Sequence, residues 1–422
     1  MKIFGVLNLL NNFFFFNIKL IIYLEIMSKN IFDPIYGYIT IDEIALKIIN
    51  TPEFQRLRNL KQLGTIHYVY PSANHSRFEH SLGVYYLADM FINSLKENQP
   101  ELKINNNDIQ NIKISALCHD LGHGPFSHLF DKFLEFNNVS SKNINHESRS
   151  INILKYINQK YSINISDENI NIISKIINPG KENKSFLYQI VANKVNGLDV
   201  DKFDYITRDS FYLGIKNECD YKRIIKTARV IDNYICFHDK IIFNIYDIYY
   251  NRAKLHNQVY NHHVSRAIDL MILDFLNIIK DDFNLIDSIE SPASFSNLDD
   301  NILTLAKFIY DKQTTKLIKD IESREFYKMI LEKKCTKEEL QKNVDSISNL
   351  DKREIILDTF KIGISNDLMK NIKFYNHDLN SFTTFNKIHI LLNFGFDSYT
   401  RIYVKNSNKS GIILNDIKKY IK

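Results

Sequence analysis

The sequence predicts a mainly α fold: an enzyme-sized helical core with a short β-hairpin and a small mixed α+β region at the C-terminal end. Three observations carry this. Only 12 Gly and 7 Pro occur in 422 residues, too few breakers for a sandwich, which needs a turn about every 8–12 residues. Apolar residues recur at helical spacing in several stretches. Strand-like alternation is confined to short segments. Hydrophobic residues make up 45% and charged residues 24%, which excludes wholesale disorder, and a chain this long buries a large core without disulfides.

In chain order, residues 1–26 read as a hydrophobic extension. Asn11, Asn12, Asn17, Lys19 and Glu25 interrupt the run of about 20 apolar residues that a membrane span needs. No small-residue cleavage site follows the apolar stretch after Lys2. Runs of Phe, Asn, Ile and Lys are what A/T-rich upstream DNA encodes, so Met27 is expected to be the true start, with a weak anchor or an added helix as alternatives. The core is expected over 27–285. There Ile41, Ile44, Ala45, Ile48 and Ile49 share one helical face that ends at Thr51-Pro52. Ile112, Ile114, Leu117 and Leu121 mark a helix running into His119-Asp120. Tyr234–Phe237 and Lys240–Phe243 flank His238-Asp239 as a hairpin. Ala267, Leu270, Met271, Asp274, Phe275 and Ile278 form a further amphipathic stripe. Residues 286–354 read as helical and partly irregular, without legible chemistry. Residues 355–422 form the α+β region, where Lys387–Leu392 and Thr400–Val404 alternate like strands.

The net charge of +5 is too small and too dispersed to mark a dedicated nucleic-acid protein, though it leaves room for a local phosphate pocket. Cys118, Cys219, Cys236 and Cys335 are scattered without a C-x-x-C pair. That argues against a disulfide scaffold or a thiolate zinc module and points to a reducing compartment. No internal repeat and no Gly-rich phosphate loop is present.

Chemistry concentrates in one segment. Seven of the 13 histidines lie between His67 and His146, most densely in Cys118-His-Asp-Leu-Gly-His-Gly-Pro-Phe-Ser-His128. A His-Asp pair offers an imidazole and a carboxylate to a divalent metal. Adjacent residues on a helix point about 100° apart, so both reach one ion only at a helix end; Gly122, Gly124 and Pro125 supply that end. Further ligands must come from elsewhere: His80 upstream and Asp201 downstream are the candidates. A lone His-Asp dipeptide is weak evidence. The ordered set of His, His-Asp and Asp with a Gly/Pro break after the pair is much stronger.

These residues resemble the HD-domain phosphohydrolases, and among them the deoxynucleoside triphosphate triphosphohydrolases of the SAM-and-HD-domain type. The shared stretches are Phe54-Gln-Arg-Leu-Arg58, Lys61-Gln-Leu-Gly64, Arg77-Phe-Glu-His-Ser-Leu-Gly83, Leu117 to His128, Asn183 to Tyr188, Gly197 to Asp209, and Asp220-Tyr-Lys-Arg223. The likeness is dense from about residue 29 to 280 and sparse from about 355 onward, with no sterile-alpha-motif domain ahead of it. It implies His80, His119, Asp120 and Asp201 as ligands of iron or zinc, and hydroxide attack on the α-phosphorus that releases a deoxynucleoside and tripolyphosphate. It implies His128 as general acid with Asp131 orienting it, and His123 and His146 at the α-phosphate, with Glu147 beside them. Arg77, Lys202 and Arg252 would grip the triphosphate with Mg²⁺ bridging it. Gln62 and Asp209 would bond the 3′-hydroxyl, and Leu63, Tyr205 and Tyr260 would crowd the 2′ carbon against ribonucleotides.

The resemblance also implies a homo-oligomer, a dimer or tetramer, activated by GTP or a dNTP between subunits. Lys29, Gln55, Arg58, Arg223 and Lys240 match that regulatory surface. Asn50 stands where a guanine-reading carboxylate is expected, His238 replaces an arginine, and Phe32 replaces an asparagine, so an altered or relaxed base preference follows. The expected setting is cytoplasm or nucleus, with no membrane association. Two other readings compete: an HD enzyme acting on another nucleotide, and a non-catalytic binder of nucleotides or single-stranded nucleic acid.

Overall fold

A computed structural model describes residues 28–180, 185–310, 314–347, 352–363, 369–376, 381–384 and 396–420. The N-terminal extension 1–26 and the expected strand Lys387–Leu392 lie outside the described residues.

The chain enters through an antiparallel hairpin of β1 (Lys29–Asp33) and β2 (Gly37–Ile41). Its turn is tied by Asp33, which accepts from the backbone of Ile35 and Tyr36, and Gly37 takes the left-handed φ of +75°. Helix α1 (Glu43–Ile49) is capped by Asp42 and stops before Thr51-Pro52. Ile41, expected on that helix, belongs to β2.

Five helices then build the core: α2 (Arg77–Asn98), α3 (Asn106–Cys118), α4 (His128–Phe136), α5 (His146–Lys160) and α6 (Asp167–Ile177). Capping boxes start α2 and α3, through Ser76 with Glu79 and Asn105 with Asp108. Helix α7 (Val200–Leu213) is capped by Asp199 and closed by Gly214 at φ +64°. After α8 (Tyr221–Lys226), β3 (Arg229–Ile231) pairs with β4 (Tyr234–His238).

The hairpin lies one step earlier than the sequence reading placed it. Asp232 and Asn233 both have positive φ, +48° and +65°, as a two-residue primed turn requires. His238 instead accepts from the Lys240 N–H at 3.2 Å and caps a turn that leads into helix α9 (Ile242–Leu255). The short apolar run Ile241-Ile242-Phe243 suits a helix start as well as a strand. Helix α9 continues through a π turn at His256–Tyr260. Helix α10 (His263–Ile279) buries Ala267, Met271 and Phe275 of the expected stripe, but its core face is completed by Ile268, Ile272, Leu276 and Ile279, with Ile278 exposed.

Beyond α10 come α11 (Ile302–Ile309), α12 (Thr314–Glu322), β5 (Lys328–Lys334), α13 (Lys337–Asp345), β6 (Ile355–Gly363), β7 (Lys373–Tyr375), β8 (Thr383–Thr384), β9 (Phe396–Val404) and α14 (Ser410–Tyr420). The strands form an antiparallel sheet in the order β5-β9-β6 and a second sheet in which β7 adds parallel to β4. One apolar core runs from Ile39 through α10 to Ile289, Phe295, Ile302, Ile321 and Tyr327, so side chains on both sides of residue 285 share it. The β5-β9-β6 sheet is fastened to α10 by the buried Arg266–Asp358 pair and by Tyr403, which donates to the His263 carbonyl at 2.9 Å.

Candidate metal centre and its cavity

Helix α3 ends at Cys118, so its last carbonyls lack intrahelical partners. His119, immediately beyond, uses Nδ1 to reach the Ala116 carbonyl at 2.8 Å. That bond fixes the tautomer and leaves Nε2 as the free nitrogen. Nε2 is buried and has no hydrogen-bond partner among the described residues.

His80, in the first turns of α2, is set the same way. Its Nδ1 lies 2.7 Å from the Asp204 carboxylate on α7. Asp204 is gripped by Arg208 one turn along, with bonds of 2.9 and 3.0 Å, and Arg208 also reaches Asp33 at 2.8 Å. Gly83 makes room for this chain: a Cβ there would fall 1.9 Å from the Asp204 Oδ1.

Asp201, at the start of α7, faces both imidazoles. Its Oδ1 is 3.1 Å from His80 Nε2 and 3.6 Å from His119 Nε2. Asp120 adds oxygens 3.5 Å from His80 Nε2 and 3.4 Å from His119 Nε2. Donors on the shell of an ion with bonds of about 2.1 Å lie about 3.0–3.4 Å apart, so these spacings fit one divalent cation. Burial opposes charging His80, but hydrogen bonds to Asp201 and Asp204 outweigh it and push its pKa up to about 10. The carboxylates that draw a proton there also draw a cation. The donor set and the orphaned His119 nitrogen thus mark a divalent metal site.

A second cluster adjoins the first through Asp120, whose Oδ1 lies 3.2 Å from His123 Nε2. The His123 and His146 rings stack with centroids 4.0 Å apart, and the His128 ring meets His123 edge-on at 4.8 Å. Burial and the Arg77 charge hold His123 well below its ordinary value, and the same causes with His146 push His128 down to about 4. The expected pairing of Asp131 with His128 is not what the hydrogen bonds show. Asp131 accepts from His146 at 3.0 Å and is ion-paired with Arg149. Arg149 projects from α5 beside His146, and its fixed charge captures the carboxylate. Glu147 stands 3.7 Å from the same His146 nitrogen.

Two buried arginines that the sequence reading left aside hold the loop between these clusters. Arg56 donates to the carbonyls of Leu121, His123 and Leu298, at 2.6 to 3.0 Å. Arg149 donates to those of Gly122, Asn143 and Ile144. Bonds from a charged donor contribute about 1.5–3 kcal/mol each. Gly122 is needed for the approach, since a Cβ there would lie 2.1 Å from the His146 carbonyl. The signal was present in the Phe54–Arg58 motif, but a buried arginine serving carbonyls is indistinguishable in sequence from an exposed one.

Both clusters line a cavity of about 450 Å³ that also presents Gln62, Leu63, Arg77, Tyr205, Asp209, Arg252 and Tyr260. Arg77 is buried, paired with Asp120, and donates to Ser127 at 2.8 Å. Lys202 is paired with Asp199 at 2.8 Å, and Arg252 donates to the Tyr205 hydroxyl at 3.0 Å. Asp209 accepts from Tyr260 and faces His75 at 2.8 Å. Gln62 Oε1 is buried without a partner among the described residues.

The residues matched to a regulatory surface lie away from this cavity. Gln55 donates to the Ile49 carbonyl and accepts from Arg58, next to Asn50 at the end of α1. Lys29, Arg223 and Lys240 are exposed, and among the described contacts none joins them to that group. Phe32 is also exposed, edge-on to Tyr38. His238 contacts Asp239 at 2.7 Å. Among the described residues no helix is long and apolar enough to cross a membrane.

Comparison with known proteins gives a family. Residues 77–232 match the HD domain and residues 219–371 the HD associated region. The chain is 35% identical over 417 residues to the deoxynucleoside triphosphate triphosphohydrolase SAMHD1 homolog of Dictyostelium discoideum, covering 94% of this chain and 81% of that protein. It is 42% identical over 352 residues to the human deoxynucleoside triphosphate triphosphohydrolase SAMHD1, covering 73% of this chain and 56% of the human protein. A putative HD domain-containing protein of Acanthamoeba polyphaga mimivirus is 37% identical over 331 residues, with 71% of this chain and 72% of the viral protein covered. The chain thus spans a little over half the length of the human relative.

Proposed function

The chain belongs to the SAMHD1 family of HD-domain proteins, and from that premise we propose that it is a deoxynucleoside triphosphate triphosphohydrolase that releases a deoxynucleoside and tripolyphosphate. The observation that carries the reading is the convergence on one cavity of the His80, His119 and Asp201 donors with the cationic side chains of Arg77 and Arg252.

His80, His119, Asp120 and Asp201 would hold the metal; two imidazoles and two carboxylates suit iron or zinc. Such an ion supplies an activated water at neutral pH and offsets charge on the phosphoryl oxygens. The other steps fall to this chain's own residues. Arg77, Lys202 and Arg252 orient the triphosphate, and Mg²⁺ would supply further compensation of its charge. His123 and His146 face the α-phosphate. The 5′-oxygen leaves poorly as an alkoxide, and His128 protonates it. Gln62 and Asp209 take the 3′-hydroxyl, while Leu63, Tyr205 and Tyr260 leave no room for a 2′-hydroxyl.

Asn50, Gln55, Arg58, Lys29, Arg223 and Lys240 would form a nucleotide-binding surface between subunits of an oligomer. An amide at position 50 accepts fewer hydrogens from guanine than a carboxylate does, so ATP should activate nearly as well as GTP. The test is a product analysis with all four dNTPs and Mg²⁺, with GTP, ATP or neither, beside Asp120→Ala. Tripolyphosphate and deoxynucleoside that vanish in the variant are expected. Monophosphate and pyrophosphate would show that a different bond is cut.

A further inference from the structure

Phe126 and Ser127, the two residues before His128, both have left-handed φ, +60° and +62°. Non-glycine residues reach that region at a cost of about 1–2 kcal/mol each, so neighbours must hold them there. The Ser127 hydroxyl donates to the Lys61 carbonyl at 2.8 Å and accepts from Arg77. The Ser127 N–H donates to the Gly124 carbonyl at 3.0 Å, and a further restraint comes from Asp300, in a segment where the sequence showed no chemistry.

One carboxylate oxygen of Asp300 accepts the Phe126 N–H at 2.6 Å and the other accepts the Lys61 N–H at 2.9 Å. Its own N–H donates to the Asn59 carbonyl at 3.3 Å. Leu298, two residues earlier, accepts from Arg56, which also grips His123. A single side chain therefore staples the turn carrying Gln62 and Leu63 to the turn that launches α4 at His128. The two turns abut: a Cβ on Gly64, at φ +52°, would stand 3.0 Å from the Phe126 carbonyl.

We propose that Asp300 is a positioning residue for the general acid His128, acting through the Phe126-Ser127 backbone. The inference rests on the reaction proposed above. Without the carboxylate, the strained pair relaxes and the imidazole drifts from the leaving oxygen, and displacements of about 1 Å suffice to cost catalysis heavily.

The test compares a dNTP with its analogue in which sulfur replaces the 5′-bridging oxygen. A thiolate leaves without being protonated, so the analogue bypasses the acid. His128→Ala should lower turnover of the oxygen substrate about a hundredfold and spare the sulfur one. Asp300→Ala should lower the oxygen substrate about tenfold and leave the sulfur one within about twofold, with metal content unchanged. Asp300→Asn offers one acceptor oxygen to two N–H groups and should fall between wild type and Asp300→Ala; it also serves as the readout if Asp300→Ala does not fold. Asn59→Ala, which removes only an exposed bond to Asp299, should match wild type. Equal losses on both substrates, or no loss on either, would overturn the positioning role. A wild-type protein that turns over neither substrate would remove the reaction itself, and the role with it.

Discussion

His119 becomes a candidate ligand through one bond behind it. The Ala116 carbonyl at the end of α3 accepts a hydrogen bond from its Nδ1, and Nε2 is left buried and unpartnered among the described residues. His128 is held differently. Burial and the Arg77 charge push it down to about 4, so the free site carries it neutral at pH 7, whereas the proposed acid must be protonated. A bound triphosphate adds negative charge beside it and raises its pKa. Substrate binding at pH 7 should therefore take up a fraction of a proton, up to about half of one. Calorimetry of a non-hydrolysable dNTP in buffers of different ionisation enthalpy measures this, and the uptake should vanish in His128→Ala. Uptake unchanged in that variant would place the proton elsewhere.

At the scale of elements, the site depends on how closely α2 and α7 approach. Gly83 and Asp204 occupy the crossing, with no space for another carbon. Gly83→Ala should cost about 1–3 kcal/mol of stability and, by displacing Asp204 from His80, weaken metal affinity about 10–100-fold. Thermal melting and metal titration check both, and a variant with wild-type affinity would show that Asp204 is not needed to orient His80. The helix leading into His119-Asp120 was legible because its apolar face and its Gly/Pro stop both lie in local sequence, although it ends at Cys118 and leaves Leu121, expected on its face, beyond it. Asp204 and Arg208 lie inside a quoted motif, but the contact of Asp204 with His80 spans 124 residues and left no local signal. The hairpin at Asp232-Asn233 was misplaced by one step because Lys240–Phe243 fits either period.

Across the whole molecule, the mainly helical class was legible from scarce breakers and amphipathic stripes. The extent of the core was not. Phe295, Leu298 and Ile302 complete it from beyond residue 285, in a polar-looking stretch whose apolar residues are sparse. The same stretch delivers Asp300 and the Leu298 carbonyl to the backbone of Phe126 and to Arg56, behind the cavity lining, so remote sequence supports the site that the motifs line. The β5-β9-β6 sheet, fastened to α10 through Asp358 and Tyr403, backs that helix. The central claim of the proposed function is that water attacks the α-phosphorus and the 5′-oxygen departs. Hydrolysis of a dNTP in water labelled with oxygen-18 tests it most directly. The label should appear in tripolyphosphate, with none in the deoxynucleoside. Label in the nucleoside, or in monophosphate or pyrophosphate, would contradict it.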